Sequence, residues 1–366
     1  MLTVCLRPSI IEKVNRENHL TIMILAFCNP LIDATVEVEE AYLHKWDLKN
    51  DDAILADSRY QPLINETVNN KNSYMTCGGA CQNTLVMSQW MMQKEGKTAI
   101  VGAVGNDSNQ EVLRSIMNKS GVQCLYQTIE KEYTGCSAIL VCNGNRSIVA
   151  SVAASGNFEF DRWDTPEVLE ALENAKVVLM STFFLRSSDR TGLAVAAECC
   201  HRNIPLAISL SSPTAIDSEA WPSLRELFRV SSIVFGNNTE IICLAKKLNL
   251  VENDVPEESV DVRNIIEKLS DYGNPRNKRI IISTMGKEPT IGCESGSKPI
   301  EVKTISVSSD KIVDTNGAGD SFAGGFLAYY IKGESLQKCI EAGNYCASCN
   351  IQERGCSVPK YLPSFK

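Results

Sequence analysis

The stretch Asp314-Thr-Asn-Gly-Ala-Gly-Asp320, continued by Ser321-Phe-Ala-Gly-Gly-Phe326, decides how the rest of the chain is read. It lies between a strand-like run (Ile305, Val307, Ile312, Val313) and an apolar run from Ser321 to Tyr330 that opens like a helix. Gly317 and Gly319 accept the positive φ and close approach that a bulkier residue resists. The backbone N–H groups of Asn316, Gly317, Ala318 and Gly319 are therefore expected to converge on one point just before the helix. A helix N-terminus carries unpaired donors and about half a positive charge, so an anion is its natural ligand. Asp320 is a carboxylate where the electrostatics favour a phosphate, and it reads as a catalytic base beside an anion hole.

Size and composition bound what surrounds this stretch. A chain of 366 residues with 44% hydrophobic and 22% charged residues buries a large core as an ordinary globular protein. A net charge of −8 argues against a nucleic-acid or anionic-membrane surface, since both need a basic face. No run approaches the roughly 18 to 20 apolar residues of a membrane span. Fifteen cysteines are scattered, several inside apolar runs, and read as reduced thiols in a cytosolic protein. With three histidines in the whole chain, acid-base or metal chemistry built on His is not expected. Residues 1–22 lack a continuous apolar core and read as an N-terminal extension rather than a signal peptide.

From Thr21 onward, buried-type apolar runs alternate with helical spacing. Strand-like runs cover Thr21–Cys28, Lys97–Val104, Lys176–Ser181, Ile204–Leu210, Ser232–Phe235 and Arg279–Thr284, and helical patterns cover Ala80–Met92, Gln110–Ser120, Arg190–His201, Glu240–Leu248 and Val262–Leu269. That alternation predicts an α/β fold with a doubly wound, mostly parallel sheet flanked by helices. Ile32–Val38 with Ile54–Leu55, and Val122–Val152, carry strand pattern with little helix. They are expected to pair into a small β-rich lid, at about 31–56 and 122–153, on one large domain spanning 23–366.

Several residues stand where chemistry would need them. Asp33 follows the first strand at the carboxyl edge, either as a solvated turn residue or as a grip on a vicinal diol. Gly78-Gly79 precedes the helical run that holds Asn83, as a plain turn or as a close backbone approach to a ligand. Gly102 to Asp107 is only faintly like a dinucleotide fingerprint, and structural use is expected there. Asn237 and Glu240, three apart after a strand, are equally a capping pair and a set that orders the water shell of Mg²⁺. Arg146, between two lid-like strands, is a surface charge or a cation swung over phosphates. Phe183 and Phe184 are core or aromatic floor.

Together these residues resemble the ribokinase-like carbohydrate and nucleoside kinases of the phosphofructokinase-B type. The resemblance rests on DTNGAGD followed by SFAGGF, on Gly78-Gly79 and on the N-x-x-E stretch Asn237 to Glu240. CNPLIDA, GGACQNTLVMSQW, TGCSAILV, NRSIVASVAA, FGNNTE and IVDTNGAGDSFAGGFL look, in that order, like segments of the branch that phosphorylates adenosine. The likeness runs from about Thr21 to the C-terminus.

The resemblance implies transfer of the γ-phosphoryl group of ATP to the ribose 5′-hydroxyl of adenosine, with Mg²⁺, by a cytoplasmic monomer, with the nucleus as a second compartment open to it. It makes Asp320 the base, the amides of Gly317, Ala318 and Gly319 the anion hole, and Arg146 the residue facing the transferring phosphate. Asp33, with Gly78, Gly79, Asn83 and Asn316, would hold the ribose. Asn29, Leu55, Val152, Ala154 and Phe184 would surround the nucleoside. ATP would lie on Asn237, Thr284, Gly286, Gly317, Gly319 and Asn344, and Asn237 and Glu240 would organise Mg²⁺ through water. Three positions depart from the family pattern: Cys28 replaces a Gly, Ala80 a Ser or Thr, and Ala53 a Gln near the purine. The last leaves a kinase for another nucleoside or a furanose sugar as the alternative, with a catalytically silent nucleoside binder as a third reading.

Overall fold

The computed structural model describes residues 22–50, 53–94, 97–143, 145–273 and 278–365. Of the extension expected over residues 1–22, all but Ile22 lies outside them. In chain order the strands are β1 (Ile24–Phe27), β2 (Leu31–Glu37), β3 (Ala53–Leu55), β4 (Tyr74–Gly78), β5 (Thr98–Gly105), β6 (Val122–Ile129), β7 (Cys136–Cys142) and β8 (Asn145–Ser151). They continue with β9 (Val177–Ser181), β10 (Leu206–Ser209), β11 (Ile233–Asn237), β12 (Ile280–Met285), β13 (Glu288–Glu294) and β14 (Ile300–Val302).

Nine of these form one sheet in the order β14-β13-β12-β11-β10-β9-β1-β5-β6. Pairing is parallel from β6 across to β12 and antiparallel at β12–β13 and β13–β14. β1, β5 and β9 are buried along their whole length, because helices cover both faces and leave no position for a solvent-facing polar side chain. Alternate residues of β1 feed two cores. Ile24 and Ala26 face the apolar cluster shared with the helices Ala80–Met92, Ala318–Tyr330 and Leu336–Asn350. Leu25 and Phe27 face the cluster shared with Thr182–Arg202, Trp221–Val230 and Asn238–Lys247. This is the doubly wound, parallel-rich architecture expected from the alternation of patterns.

The remaining strands form a second sheet in the order β3-β8-β7-β2-β4. Its make-up differs from expectation in two places. β6, expected in this smaller sheet, pairs in parallel with β5 along eight residues of the large one. β4, unmarked in the sequence reading, pairs antiparallel with β2 from Leu31 opposite Gly78 to Thr35 opposite Tyr74. The apolar run before Asp314 is also not a strand: Ile305, Ile312 and Val313 are exposed, in an irregular segment broken by a single 3₁₀ turn at Ser309–Lys311. Val313 finds a single backbone partner in the Ile351 carbonyl rather than a strand to form a ladder with, and apolar alternation alone does not make a strand.

The helices Ala80–Met92 and Ala318–Tyr330 approach closely through Gly324, where a Cβ would come within 2.7 Å of the Thr84 carbonyl oxygen. Ser88 Oγ donates to the Gly324 carbonyl at 3.0 Å across the same contact. That approach brings the first turns of both helices together at the carboxyl ends of the parallel strands, where ligands of open α/β sheets collect.

Candidate active site

β1 ends at Phe27, and the chain crosses at once into β2, which carries Asp33 up into the smaller sheet. Gly78, the last residue of β4, stands opposite Leu31 in the antiparallel pair, two residues before Asp33. A Cβ at Gly78 would overlap the Asp33 carboxylate, so the role of this glycine is to leave that carboxylate its room. Gly79 follows with φ +88°, its Cα lying against the Asn29 carbonyl, where a side chain would come within 2.6 Å. It begins the helix Ala80–Met92, whose first turn presents Asn83.

The stretch that opened the sequence reading forms the opposite wall. Gly317 takes φ +72° as the N-cap of the helix Ala318–Tyr330, and Asp320 sits in the first turn. Asn83 Nδ2 donates to Asp320 Oδ2 at 2.9 Å. The amide of Asn316 donates to Asp314 Oδ1 at 2.9 Å, and Asn350 Nδ2 donates to the Asn316 carbonyl at 2.9 Å, which fixes the loop from behind.

Between these walls runs a polar cleft of about 610 Å³ that Asp33, Asn83, Asn237, Glu240, Thr284 and the loop from Asn316 to Asp320 line. An apolar compartment of about 480 Å³ adjoins it through the shared residues Gly79, Ile148 and Phe183, and holds Asn29, Leu31, Ile54, Leu55 and Val152 in its walls. Sugar-sized polar contacts thus lie next to a greasy slot, the arrangement a ligand with a polar and a flat apolar half requires.

The electrostatics of the cleft are unusual. Burial raises the Asp33 carboxyl to about 7, against the Ser137 hydrogen bond and the Arg146 charge, which pull it down. Burial likewise raises Asp320 to about 7; the Asn83 hydrogen bond opposes this, and the charges of Glu240 and Asp33 add to it. Two carboxyls poised near neutrality in one cleft are what proton transfer at neutral pH calls for.

Other expected residues fall differently. Phe184 is fully buried, ringed by Phe27 and Phe158 at 6.2 and 5.7 Å, and its neighbour Phe183 lines the cleft instead. Their order along one helical turn decides this, since adjacent residues point about 100° apart. Ala154 is also fully buried, its amide donating to the Tyr133 carbonyl, and sits behind the lining rather than in it. Asn344 spends its side chain on structure: Oδ1 accepts from Thr290 at 2.8 Å, and Nδ2 donates to the Val302 and Lys303 carbonyls. Gly286 takes φ +64° in the β12–β13 turn with open space around it. Asn237 and Glu240 form a reciprocal capping box, Asn237 Oδ1 accepting from the Glu240 amide at 2.9 Å and Glu240 Oε2 from the Asn237 amide at 3.0 Å. Both also line the cleft, so the capping reading holds and Glu240 still presents a buried carboxylate there. Among the described residues no group of three or more His, Cys, Asp or Glu side chains converges as a metal site.

Ser137 is a site residue that the sequence does not announce, whereas Phe183 stood there with Phe184 as core or aromatic floor and takes the second role. Ser137 stands opposite Asp33 in the parallel β2–β7 register, a pairing no local pattern announces.

Comparison with known proteins gives a consistent picture. The model of a family described as pfkB family carbohydrate kinase matches residues 40–362. The adenosine kinase of Dictyostelium discoideum is 33% identical over 94% of this chain and 99% of its own length. Adenosine kinase 2 of Arabidopsis thaliana is 31% identical over 92% and 96%. Among solved structures, Anopheles gambiae adenosine kinase in complex with P1,P4-di(adenosine-5) tetraphosphate superposes with a TM-score of 0.82 at 31% identity, covering 94% of this chain and 99% of that one.

Proposed function

The chain belongs to the pfkB family of carbohydrate kinases, and we propose that it phosphorylates adenosine at the ribose 5′-hydroxyl, converting ATP to ADP and releasing AMP. The observation that carries this reading is the placement of Asp33 and Asp320 in one cleft, with the glycine-bearing loop beside Asp320 and an apolar slot beside Asp33.

In this reading Asp33 accepts hydrogen bonds from the 2′ and 3′ hydroxyls, and binding a diol there favours its ionised form. The purine enters the slot against Phe183, Leu55 and Val152. Asn83 orients Asp320, which accepts the 5′-hydroxyl proton late, as the new O–P bond forms. Phosphoryl transfer passes through a loose transition state and needs positioning and charge stabilisation more than covalent help. The amides of Gly317 and Gly319 and the Arg146 guanidinium supply that charge stabilisation, whereas those of Asn316 and Ala318, expected in the same hole, are already given to Asp314 Oδ1 and the Thr315 carbonyl; preorganised donors of this kind are commonly worth about 3–4 kcal/mol each. Thr284 lies at the end of β12, on the side where ATP would extend away from the nucleoside. Glu240, with Asn237, would hold Mg²⁺ through ordered water, and the ion would supply screening of the phosphate charges. The smaller sheet, β2, β3, β4, β7 and β8, acts as the lid that excludes water from the transfer.

The described cysteines form no disulfide with one another and most are buried, which supports a reducing, cytoplasmic setting. No helix among the described residues is long and apolar enough to cross a membrane. Coupled ADP release measured with adenosine, inosine, guanosine and ribose tests the assignment. Adenosine is expected to give the highest kcat/KM; a higher value for another acceptor would replace adenosine, and no release with any, despite adenosine binding, would make the protein a silent binder.

A further inference from the structure

We propose that Asp314 is a positioning residue that sets the anion loop and the Arg146 side chain in one shared geometry, so that the smaller sheet and the phosphate-binding amides are aligned together. What the loop and Arg146 do in catalysis rests on the kinase reading above; their attachment to Asp314 does not.

A single carboxylate, its side chain 1% exposed, holds three separate parts of the chain. Oδ1 accepts from the Asn316 amide at 2.9 Å, inside the anion loop. Oδ2 accepts from the Gly355 amide at 2.6 Å, in the segment that follows the helix Leu336–Asn350. The guanidinium of Arg146, on β8 of the smaller sheet, places Nη2 2.5 Å from Oδ2. The C-terminal segment reinforces the arrangement from behind. The amides of Val313 and Asp314 both donate to the Ile351 carbonyl, and Cys356 packs so closely on Gly317 that a Cβ there would come within 2.9 Å.

Burying a carboxylate is costly unless hydrogen bonds and an opposite charge compensate it, and the two amides and Arg146 supply that compensation to Asp314. The same requirement runs in reverse. Arg146 sits on a strand of a sheet that meets the rest of the chain across the cleft, and Asp314 is the fixed anion that tells its guanidinium where to rest. A guanidinium carries five donors, so those not directed at Asp314 can address a second anion without the first being released. Asp314 therefore acts through two others, the Asn316 amide and Arg146, and touches no substrate itself.

Asp314→Asn keeps the volume and removes the charge. We expect kcat at saturating adenosine and ATP to fall at least about tenfold, as for a misplacement of catalytic groups by a fraction of an ångström. The KM for adenosine should stay within about threefold, because the nucleoside contacts lie elsewhere. Hydrogen exchange at the Asn316 and Gly355 amides should quicken by about tenfold or more. In a cycle with Arg146→Gln, the double variant should lose little more kcat than the worse single variant; losses that multiply would overturn the link to Arg146. Unchanged kcat and unchanged exchange in Asp314→Asn would overturn the proposal as a whole. Should that variant not fold, Arg146→Gln alone decides: faster exchange at Asn316 and Gly355 supports the shared geometry, and unaltered exchange refutes it. A wild-type enzyme that fails to phosphorylate adenosine refutes the kinase reading and leaves the exchange experiment to judge Asp314.

Discussion

Asn83 donates to Asp320 at 2.9 Å, and this one hydrogen bond joins the first turns of two helices whose residues are far apart in sequence. It stabilises the ionised carboxylate against a burial that pushes it up to about 7. Asn83→Ala removes that support, so the Asp320 carboxyl should rise further. The acidic limb of kcat/KM, which reports the free enzyme's base, is expected to move up by about one pH unit. A profile that loses height without moving would mean that Asn83 serves only to hold the nucleoside.

The same burial has a consequence for stability. Asp320 lies at about 7 in the folded chain against an ordinary 3.8, so between those values the folded state binds a proton that the unfolded state releases. Its contribution is fully present at low pH and is lost as pH rises toward 7. Asp320→Asn does not ionise and should escape the loss. Its Tm at pH 8 is expected to exceed that of the wild type by on the order of 5 °C, with the gap narrowing toward pH 5. Thermal unfolding followed by circular dichroism at the two pH values measures it.

Gly78 leaves room for the Asp33 carboxylate, and a methyl group there would occupy it. Gly78→Ala should turn Asp33 away from the diol and raise the KM for adenosine by about tenfold to a hundredfold, the cost of two charge-assisted hydrogen bonds weakened together. The KM for ATP should change by less than about twofold, since this strand end stands on the nucleoside side of the cleft. Steady-state kinetics with each substrate varied in turn separates the two.

Glu240 closes a capping box and also lines the cleft. Glu240→Gln keeps an oxygen for the Asn237 amide and removes the charge, so the helix end should survive while Mg²⁺ loses its ordering partner. The free Mg²⁺ needed for half-maximal rate is expected to rise by about tenfold, with Tm within about 2 °C of the wild type. An unchanged Mg²⁺ requirement would reduce the residue to its cap.

The large sheet was legible because its parallel strands are buried on both faces: runs such as Ile24–Phe27 and Val177–Ser181 have no polar alternation to blur them. The helix Ala80–Met92 was legible end to end, and so were Asp33, Asn83 and Asp320, since turn glycines or strand ends mark each of them. What escaped the sequence depends on partners distant in the chain. β4 begins with the exposed Tyr74 and becomes a strand only by pairing with β2. The length of β6 suits either sheet, and its register with β5 settled the matter. Phe183 and Phe184 are identical in type, so the pattern could not say which one faces the cleft. The Asp314 junction draws on Arg146 and Gly355, and nothing near Asp314 in sequence signals either.

The central claim is that Asp320 takes the proton from the ribose 5′-hydroxyl during phosphoryl transfer. The most direct measurement is the turnover of Asp320→Asn with adenosine and ATP, beside its adenosine Kd by calorimetry. The account predicts a kcat at least about a hundredfold below the wild type with a Kd changed by no more than a few fold; near-normal turnover would contradict it.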